Sequence, residues 1–174
     1  MTESQLQSIQ TWFHQYVDGF READRSLHPM QELKLGHSLR VAAECRDLAA
    51  DADRSAAEIC LTEAIGLLHD TGRFSQFREF RTFFDPQSVN HAARGCEVLK
   101  STGVLKALGP VDEHRVLEAV RCHNLKSIPP GIPAEVLFGV QVVRDADKLD
   151  IFETVDARLR DGSFYRMPEI MLQF

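Results

Sequence analysis

The segment that most restricts the possible folds is AAEICLTEAIGLL, residues 56–68, which is apolar on nearly every side of a helix. Ser55 precedes it as a predicted N-cap, and Glu58 stands where it would complete a capping box. A helix without a polar face is not stable at a protein surface, so other parts of the chain must surround it. The segment therefore predicts a central, buried helix.

The remainder of the chain has helical periodicity almost throughout, which predicts an all-α helical bundle. Ser88 is the expected N-cap of a helix with the sequence VNHAARGCEVLKST, and Thr71-Gly72 is expected to end the central helix. At 174 residues, the chain is predicted to form a single domain. Its predicted parts are an N-terminal helix within residues 1–28 and a core over about 30–160. The main predicted helices cover residues 4–20, about 30–50, 56–70 and 134–160, with shorter ones after residues 72, 88 and 110.

Charge and composition exclude several classes of protein. A net charge of −6 argues against binding of bulk nucleic acid, although a nucleotide needs only a few local cations. The sequence has no apolar run of 18 residues and no basic, then apolar N-terminus, so neither a membrane span nor a secretory signal is predicted. The four cysteines form no C-x-x-C pair, which favours buried, reduced thiols in a cytoplasmic protein.

The dipeptide His69-Asp70 stands at the end of the most apolar predicted helix. Burial of an unpaired carboxylate there would cost several kcal/mol, and a metal cation offsets that cost. Imidazole and carboxylate together suit divalent Mn, Fe, Co, Ni, Zn or Mg. By itself, the dipeptide is equally compatible with a histidine favoured by the helix dipole and an aspartate that acts as a local cap.

Residues elsewhere in the chain favour the metal site. His37 lies in the second predicted helix, within GHSLRVAAEC. Asp147 lies within VVRDADKLDIF, between Asp145 and Asp150. Three acidic residues within six positions of an otherwise apolar helix are difficult to explain as solvated surface. Asp147 and Asp150, three positions apart, share one helical face.

The order His, His-Asp, Asp resembles the HD superfamily of metal-dependent phosphohydrolases. HDTGRF is similar to the H-D-x-G-[K/R] form of the central motif, and ADKLD is similar to the last motif. In that last motif the aspartate after the alanine is the ligand, which selects Asp147. The resemblance implies an HD-type helical bundle whose divalent metal is held by His37, His69, Asp70 and Asp147.

The resemblance, which covers about residues 30–160, extends to the branch of the superfamily with two metals. His91, in SVNHAARGCEVL, and His123, in AVRCHN, resemble residues that bind a second metal in HD-GYP phosphodiesterases. The chain lacks the G-Y-P signature, which argues against cyclic dinucleotide substrates. The resemblance implies that His91 and His123 bind a second metal, bridged to the first by Asp70, or the substrate phosphate. The alternative is that both are polar residues lining a cleft.

Substrate contacts are predicted next to the ligands. Arg73, three residues after Asp70, is the first candidate for a phosphate clamp, because similar proteins carry Lys or Arg there. The aromatic stretch of residues 74–84 is predicted to form a core face, or in part to cap the pocket and stack on a base. Lys148 and Asp150 could instead orient the ligands. The full set of candidate substrate contacts is Arg40, Arg73, Gln76, Arg94 and Lys148, and the histidines expected to be exposed are His14, His28 and His114.

The resemblance implies hydrolysis of a phosphate monoester or diester by a metal-activated water, with Asp70 and Arg73 as the central catalytic residues. The expected substrate is a small, nucleotide-like phosphorylated molecule. The alternatives are a regulatory module that binds metal or nucleotide without turnover, a di-iron oxygenase, and a purely structural protein. The apolar C-terminal sequence MPEIMLQF is expected to pack in cis or against a partner, which leaves a homodimer open.

Overall fold

The computed structural model describes residues 1–162, and the apolar C-terminal sequence lies outside these described residues. Every regular element within residues 1–162 is helical, which confirms the all-α prediction. Two short 3-10 helices, Asp85–Gln87 and Lys106–Leu108, accompany the α-helices. The α-helices are α1 (Glu3–Asp18), α2 (Pro29–Asp51), α3 (Ala56–Leu68), α4 (Thr71–Phe80), α5 (His91–Thr102), α6 (Pro110–Cys122) and α7 (Ala134–Arg160).

Helix α3 is the centre of the fold, as its apolar sequence predicts. All its residues from Cys60 to Leu68 are buried, and α1, α2, α6 and α7 pack around it. Ser55 caps the helix with its hydroxyl, which accepts a hydrogen bond from the Glu58 N–H at 3.3 Å. The reciprocal half of the capping box does not form, because the Glu58 carboxylate pairs with Arg115 of α6. The central helix carries His69 and Asp70 immediately after its last residue.

The chain continues into a new helix at the point where a turn was predicted. Thr71-Gly72 do not end the central helix; they begin α4 directly after Asp70. Gly72 makes this close connection possible, because a Cβ there would lie 2.1 Å from the His91 carbonyl oxygen and 2.6 Å from the Gly95 nitrogen. The backbones of α4 and α5 therefore touch beside the first residue of α5.

The start of α5 differs from its prediction. Ser88 is not the N-cap; the Asn90 side chain caps the helix by accepting from the Ala93 N–H at 2.8 Å. The Ser88 hydroxyl donates to the Phe84 carbonyl instead, within the preceding loop. This shift makes His91 the first residue of the helix, where its ring faces the other histidines.

His28 also differs from its prediction. It is half-buried rather than exposed, because its Nδ1 accepts from the Met30 N–H at 3.2 Å and its ring lies beside Phe77. His14 and His114 are exposed, as expected. The four cysteines are free thiols, and all except Cys96 are buried. Among residues 1–162, no helix combines the length and apolar character that a bilayer crossing requires.

Candidate metal centre

The structure brings the six predicted metal ligands together, although they are distant in the sequence. Four come from helix ends: His69 and Asp70 lie between α3 and α4, His91 begins α5, and His123 follows α6. The metal binding itself remains a prediction. The six converging residues are His37, His69, Asp70, His91, His123 and Asp147.

One group of donors lies around His37 Nε2. This atom is 3.2 Å from His69 Nε2, 3.1 Å from Asp147 Oδ1 and 3.6 Å from Asp70 Oδ2. His69 Nε2 lies 3.7 Å from each of the same two carboxylate oxygens. Donors bound at about 2.1 Å to one ion are about 3.0–3.4 Å apart at right-angled or tetrahedral positions. The spacing of this group is close to that of a divalent metal site.

A second group uses the other oxygen of the same aspartate. Asp70 Oδ1 lies 3.5 Å from His91 Nε2 and 3.7 Å from His123 Nε2, while these two nitrogens are 3.0 Å apart. Asp70 Oδ2 faces the first group and Asp70 Oδ1 faces the second. One carboxylate could therefore bridge two ions.

Each of the four histidines is oriented by a hydrogen bond at its outer nitrogen. His69 Nδ1 lies 2.7 Å from the Gly66 carbonyl oxygen, and His123 Nδ1 lies 2.7 Å from the Val120 carbonyl oxygen. A carbonyl oxygen can only accept, so these Nδ1 atoms carry the proton and leave an Nε2 lone pair directed inward. Lone pairs that face one another at about 3 Å repel unless a proton or a cation lies between them. The donor set therefore fits one or two divalent cations.

Aspartates orient the other two rings. His37 Nδ1 lies 2.7 Å from Asp150 Oδ2, and His91 Nδ1 lies 2.8 Å from Asp85 Oδ2. Carboxylates in this position make an imidazole a stronger metal ligand and fix its tautomer. Arg40, predicted as a substrate contact, donates to both oxygens of Asp150 and does not line the cleft above the site. Arg40 instead holds the Asp150 carboxylate in place.

The protonation of the buried rings also suits metal binding. Burial lowers the pKa of His69 to about 3, against the opposing effect of Asp70. Burial lowers the pKa of His91 to about 4, although its hydrogen bond to Asp85 acts in the other direction. Both rings are therefore neutral near pH 7, which is the state that binds a metal.

His37 differs from the other two rings. Burial and the charge of Lys34 disfavour the protonated ring, but hydrogen bonds to Asp147 and Asp150 outweigh them and raise its pKa. Burial similarly opposes ionisation of Asp70, yet Lys34 holds the pKa of that carboxyl well below its usual range. Asp70 is therefore a charged, buried carboxylate.

A cleft of about 710 Å³ opens above the donors. Asp70, His91, His123 and Asp147 line it, so both donor groups border a space that a ligand could enter. The other lining residues are Lys34, Arg73, Phe83, Phe84, Asp85, Pro86, Asn124, Leu125, Lys126, Arg144, Lys148 and Ile151.

Besides Arg40, two more of the predicted substrate contacts lie away from this cleft. The Gln76 amide is fully buried and donates to Asp85, Ser88 and the Val89 carbonyl, so it fixes the loop before α5. Arg94 forms an ion pair with Glu79 of α4 at 3.0 Å and does not line the cleft. We therefore assign neither residue a contact with substrate.

Arg73 does line the cleft, but most of its side chain is held by hydrogen bonds within the protein. One terminal nitrogen donates to the Phe83 carbonyl, to Gln76 and to Asp85. Its Nε lies 3.5 Å from Asp70 Oδ1 and, among the described residues, is buried without a hydrogen-bond partner. Arg73 is therefore held rigidly beside Asp70, with one N–H donor still to be satisfied.

Sequence reasoning missed two charged residues of the site. Lys34 is buried, and its Nζ lies 2.9 Å from Asp70 Oδ2. Its position one helical turn before His37 is a signal that could have found it. Asp85 begins the short 3-10 helix before α5, and no helical periodicity relates it to His91, so only the structure locates it beside that ring.

The comparison with protein families agrees with this geometry. Residues 35–151 match the family model described as HD domain. The chain belongs to the HD domain family. The match spans all six converging ligands, whereas Lys34 lies one residue before it. Neither the curated proteins nor the solved structures compared with the chain include a match. HD domains are typical of metal-dependent phosphohydrolases, which places this chain in that superfamily.

Proposed function

We propose that this HD domain hydrolyses a phosphate ester of a small, nucleotide-like molecule with the help of one or two divalent cations. The observation that carries the proposal is the position of Asp70. Its two oxygens face separate donor groups, each containing two histidines, at the floor of an open cleft. A purely structural role would not explain why these charged and polar atoms converge beneath an accessible space.

The residues around Asp70 form two sets of metal ligands. His37, His69 and Asp147 would hold one cation with it, and His91 and His123 would hold a second. A bound divalent cation supplies a Lewis acid that lowers the pKa of a water and offsets charge on a phosphoryl oxygen. Asp150 and Asp85 keep the rings of His37 and His91 in a metal-binding orientation.

Basic side chains on the cleft walls support an anionic substrate. On α7, Arg144 and Lys148 lie one turn before and one residue after Asp147, and all three residues line the cleft. Lys126 adds a third positive charge from the loop after α6. In a chain with a net charge of −6, this local positive charge favours a phosphorylated ligand.

Other residues that line the cleft favour a base or another flat group. Phe83 and Phe84 line the cleft, and Phe83 is itself largely buried because it packs against Phe77. Asn124 also lines the cleft. Its Oδ1 is buried and has no hydrogen-bond partner in the described part of the chain. An aromatic surface and an unsatisfied acceptor are suited to a nucleobase. The cleft volume is within the range of small-molecule sites.

The test combines metal analysis with hydrolysis assays. We expect the purified protein to contain a divalent transition metal and to hydrolyse an aryl phosphate monoester, an aryl phosphate diester or a nucleoside phosphate. Asp70→Asn should lower the rate by about 100-fold or more, because it removes the shared charged ligand. Asp145→Asn is the matched control, since Asp145 is exposed on the same helix as Asp147 and should be dispensable.

Three outcomes would count against the proposal. Bound metal without turnover of any phosphate ester would identify a binding module. Iron-dependent uptake of oxygen without hydrolysis would identify an oxygenase. Full activity of Asp70→Asn would contradict the proposed site, whatever the reaction.

A further inference from the structure

Lys34 is a buried ammonium group at the centre of the site. Only 2% of the residue is exposed, and it lines the cleft between Asp70 and Phe83. Its Nζ lies 2.9 Å from Asp70 Oδ2 and 5.6 Å from the centre of the Phe83 ring. A buried ammonium is strongly unfavourable unless an anion lies beside it. The ion pair with Asp70 therefore offsets the cost of burying Lys34.

That ion pair uses an atom that the candidate metal centre also needs. Asp70 Oδ2 is the oxygen that lies 3.6 Å from His37 Nε2 and 3.7 Å from His69 Nε2. An ammonium and a divalent cation beside the same oxygen repel each other in a site where burial reduces screening. Lys34 and a metal therefore compete for Asp70.

An anion that enters the cleft would give Lys34 another acceptor, so that Lys34 and the metal would no longer need the same oxygen. Lys34 ends a flexible four-carbon chain and can turn its three donors toward a new acceptor. Arg73, in contrast, is fixed by its bonds to the Phe83 carbonyl and to Asp85. Of the two cations that flank Asp70, Lys34 has the more flexible side chain.

We propose that Lys34 has two successive partners: Asp70 in the metal-free protein, and a phosphate oxygen of the substrate once a divalent cation holds Asp70. This inference rests on the proposed function and assigns Lys34 as a substrate-binding residue. In the first state, Lys34 weakens metal binding by competing for the carboxylate. In the second state, it donates to the phosphate and balances part of its charge.

Binding measurements on the full chain test both states without relying on turnover. Lys34→Met keeps an unbranched side chain of similar length and removes the charge, while Lys34→Arg keeps the charge. In titrations of chelator-treated protein with Mn²⁺, Lys34→Met should bind about tenfold more tightly than the wild type. With Mn²⁺ present, its affinity for inorganic phosphate should be about tenfold weaker. Lys34→Arg should resemble the wild type in both titrations, as should Lys100→Met, which alters an exposed lysine on α5.

The two halves of the inference can fail separately. Unchanged or weaker Mn²⁺ binding by Lys34→Met would overturn the competition for Asp70. Tighter Mn²⁺ binding with unchanged phosphate affinity would overturn the exchange of partners. Phosphate binding that depends on Lys34, in a protein that hydrolyses no ester, would support the inference while the proposed function fails.

A measurement on the wild type covers the case in which Lys34→Met does not fold. Trace labelling with an amine-reactive reagent, followed by mass spectrometry, reports the accessibility of Lys34 relative to Lys100. We expect Mn²⁺ to increase labelling of Lys34, and phosphate added afterwards to reduce it. Labelling that does not respond to Mn²⁺ would contradict the displacement from Asp70.

Discussion

The Nε2 atoms of His91 and His123 lie 3.0 Å apart, although neither ring has a free outer nitrogen. His91 Nδ1 is bonded to Asp85, and His123 Nδ1 donates to the Val120 carbonyl. The rings therefore cannot turn to avoid each other without breaking a hydrogen bond. This arrangement suits a cation between the two rings and the Oδ1 atom of Asp70.

His123→Ala should remove one metal of two and leave the other. The expected stoichiometry, measured by elemental analysis after dialysis, falls from two ions to one per chain, because His37, His69, Asp70 and Asp147 remain. Hydrolysis should fall by about 100-fold. His114→Ala, which changes an exposed histidine of α6, should keep both ions. Two tightly bound ions in His123→Ala would contradict the second site.

Asp150→Asn should weaken metal binding although Asp150 is not expected to touch the metal. Its carboxylate accepts from His37 Nδ1 and is itself held by Arg40. Loss of the negative charge should reduce metal affinity by about 10- to 100-fold, as titration with Mn²⁺ would measure. Asp145→Asn is the control five residues earlier on the same helix. Equal affinities for the two variants would show that this hydrogen bond does not support the site.

Gly72→Ala should destabilise the fold and displace His91. A Cβ at this position would overlap the His91 carbonyl oxygen and the Gly95 nitrogen, both of which are backbone atoms. We expect a loss of about 3 kcal/mol in the free energy of unfolding, measured with urea. Gly36→Ala is the control, because its Cβ would meet only a side-chain nitrogen of Arg40, at 3.1 Å, and no backbone atom of another helix. Equal stabilities of the two variants would refute the close approach of α4 and α5.

The metal-free protein should lose stability as the pH falls from about 6.5 to about 4.5. His69 and His91 have folded pKa values of about 3 and about 4, below the ordinary value of 6.5. In this range the unfolded chain binds more protons than the folded chain, so acidification favours unfolding. The raised pKa of His37 has the opposite sign and offsets part of the loss.

Urea unfolding at several pH values measures this dependence. At about 1.4 kcal/mol per unit of pKa, the two rings together can contribute several kcal/mol across the full range. His91→Gln should reduce the slope, because it removes one of the two titrating rings, and His114→Gln should leave it unchanged. A wild-type free energy of unfolding that is constant from pH 7 to pH 4.5 would contradict the prediction.

Features that depend on neighbouring residues in the sequence could be predicted, whereas features that depend on distant contacts could not. The prediction of α7 from Ala134 to about Arg160 agrees with the structure, because Pro133 and a long helical pattern define its start and extent. The predicted cap at Ser88 was wrong, because the choice between Ser88 and Asn90 depends on how the preceding loop packs around Gln76. Helix content is encoded by neighbouring residues, whereas a cap in a loop is not.

The same distinction applies to the site. The order of His37, His69-Asp70 and Asp147 predicted a set of donors that the structure brings within hydrogen-bonding distance or slightly more. Arg40 was predicted from helical spacing to His37, but the structure directs it to Asp150. Helical spacing identifies the residues on one face of a helix; it does not identify what lies opposite that face.

The sequence by itself determined that the chain is helical, that α3 is central, and which residues could bind a metal. Side-chain chemistry and helical periodicity carry that information, since both are properties of the residues and their near neighbours. Only the tertiary structure decided that the two oxygens of Asp70 face different histidine pairs and that Lys34 neutralises the same carboxylate. Those relationships depend on the packing of α2, α5 and α6 around α3 and α4, and distances between separate helices are set by packing across the whole core.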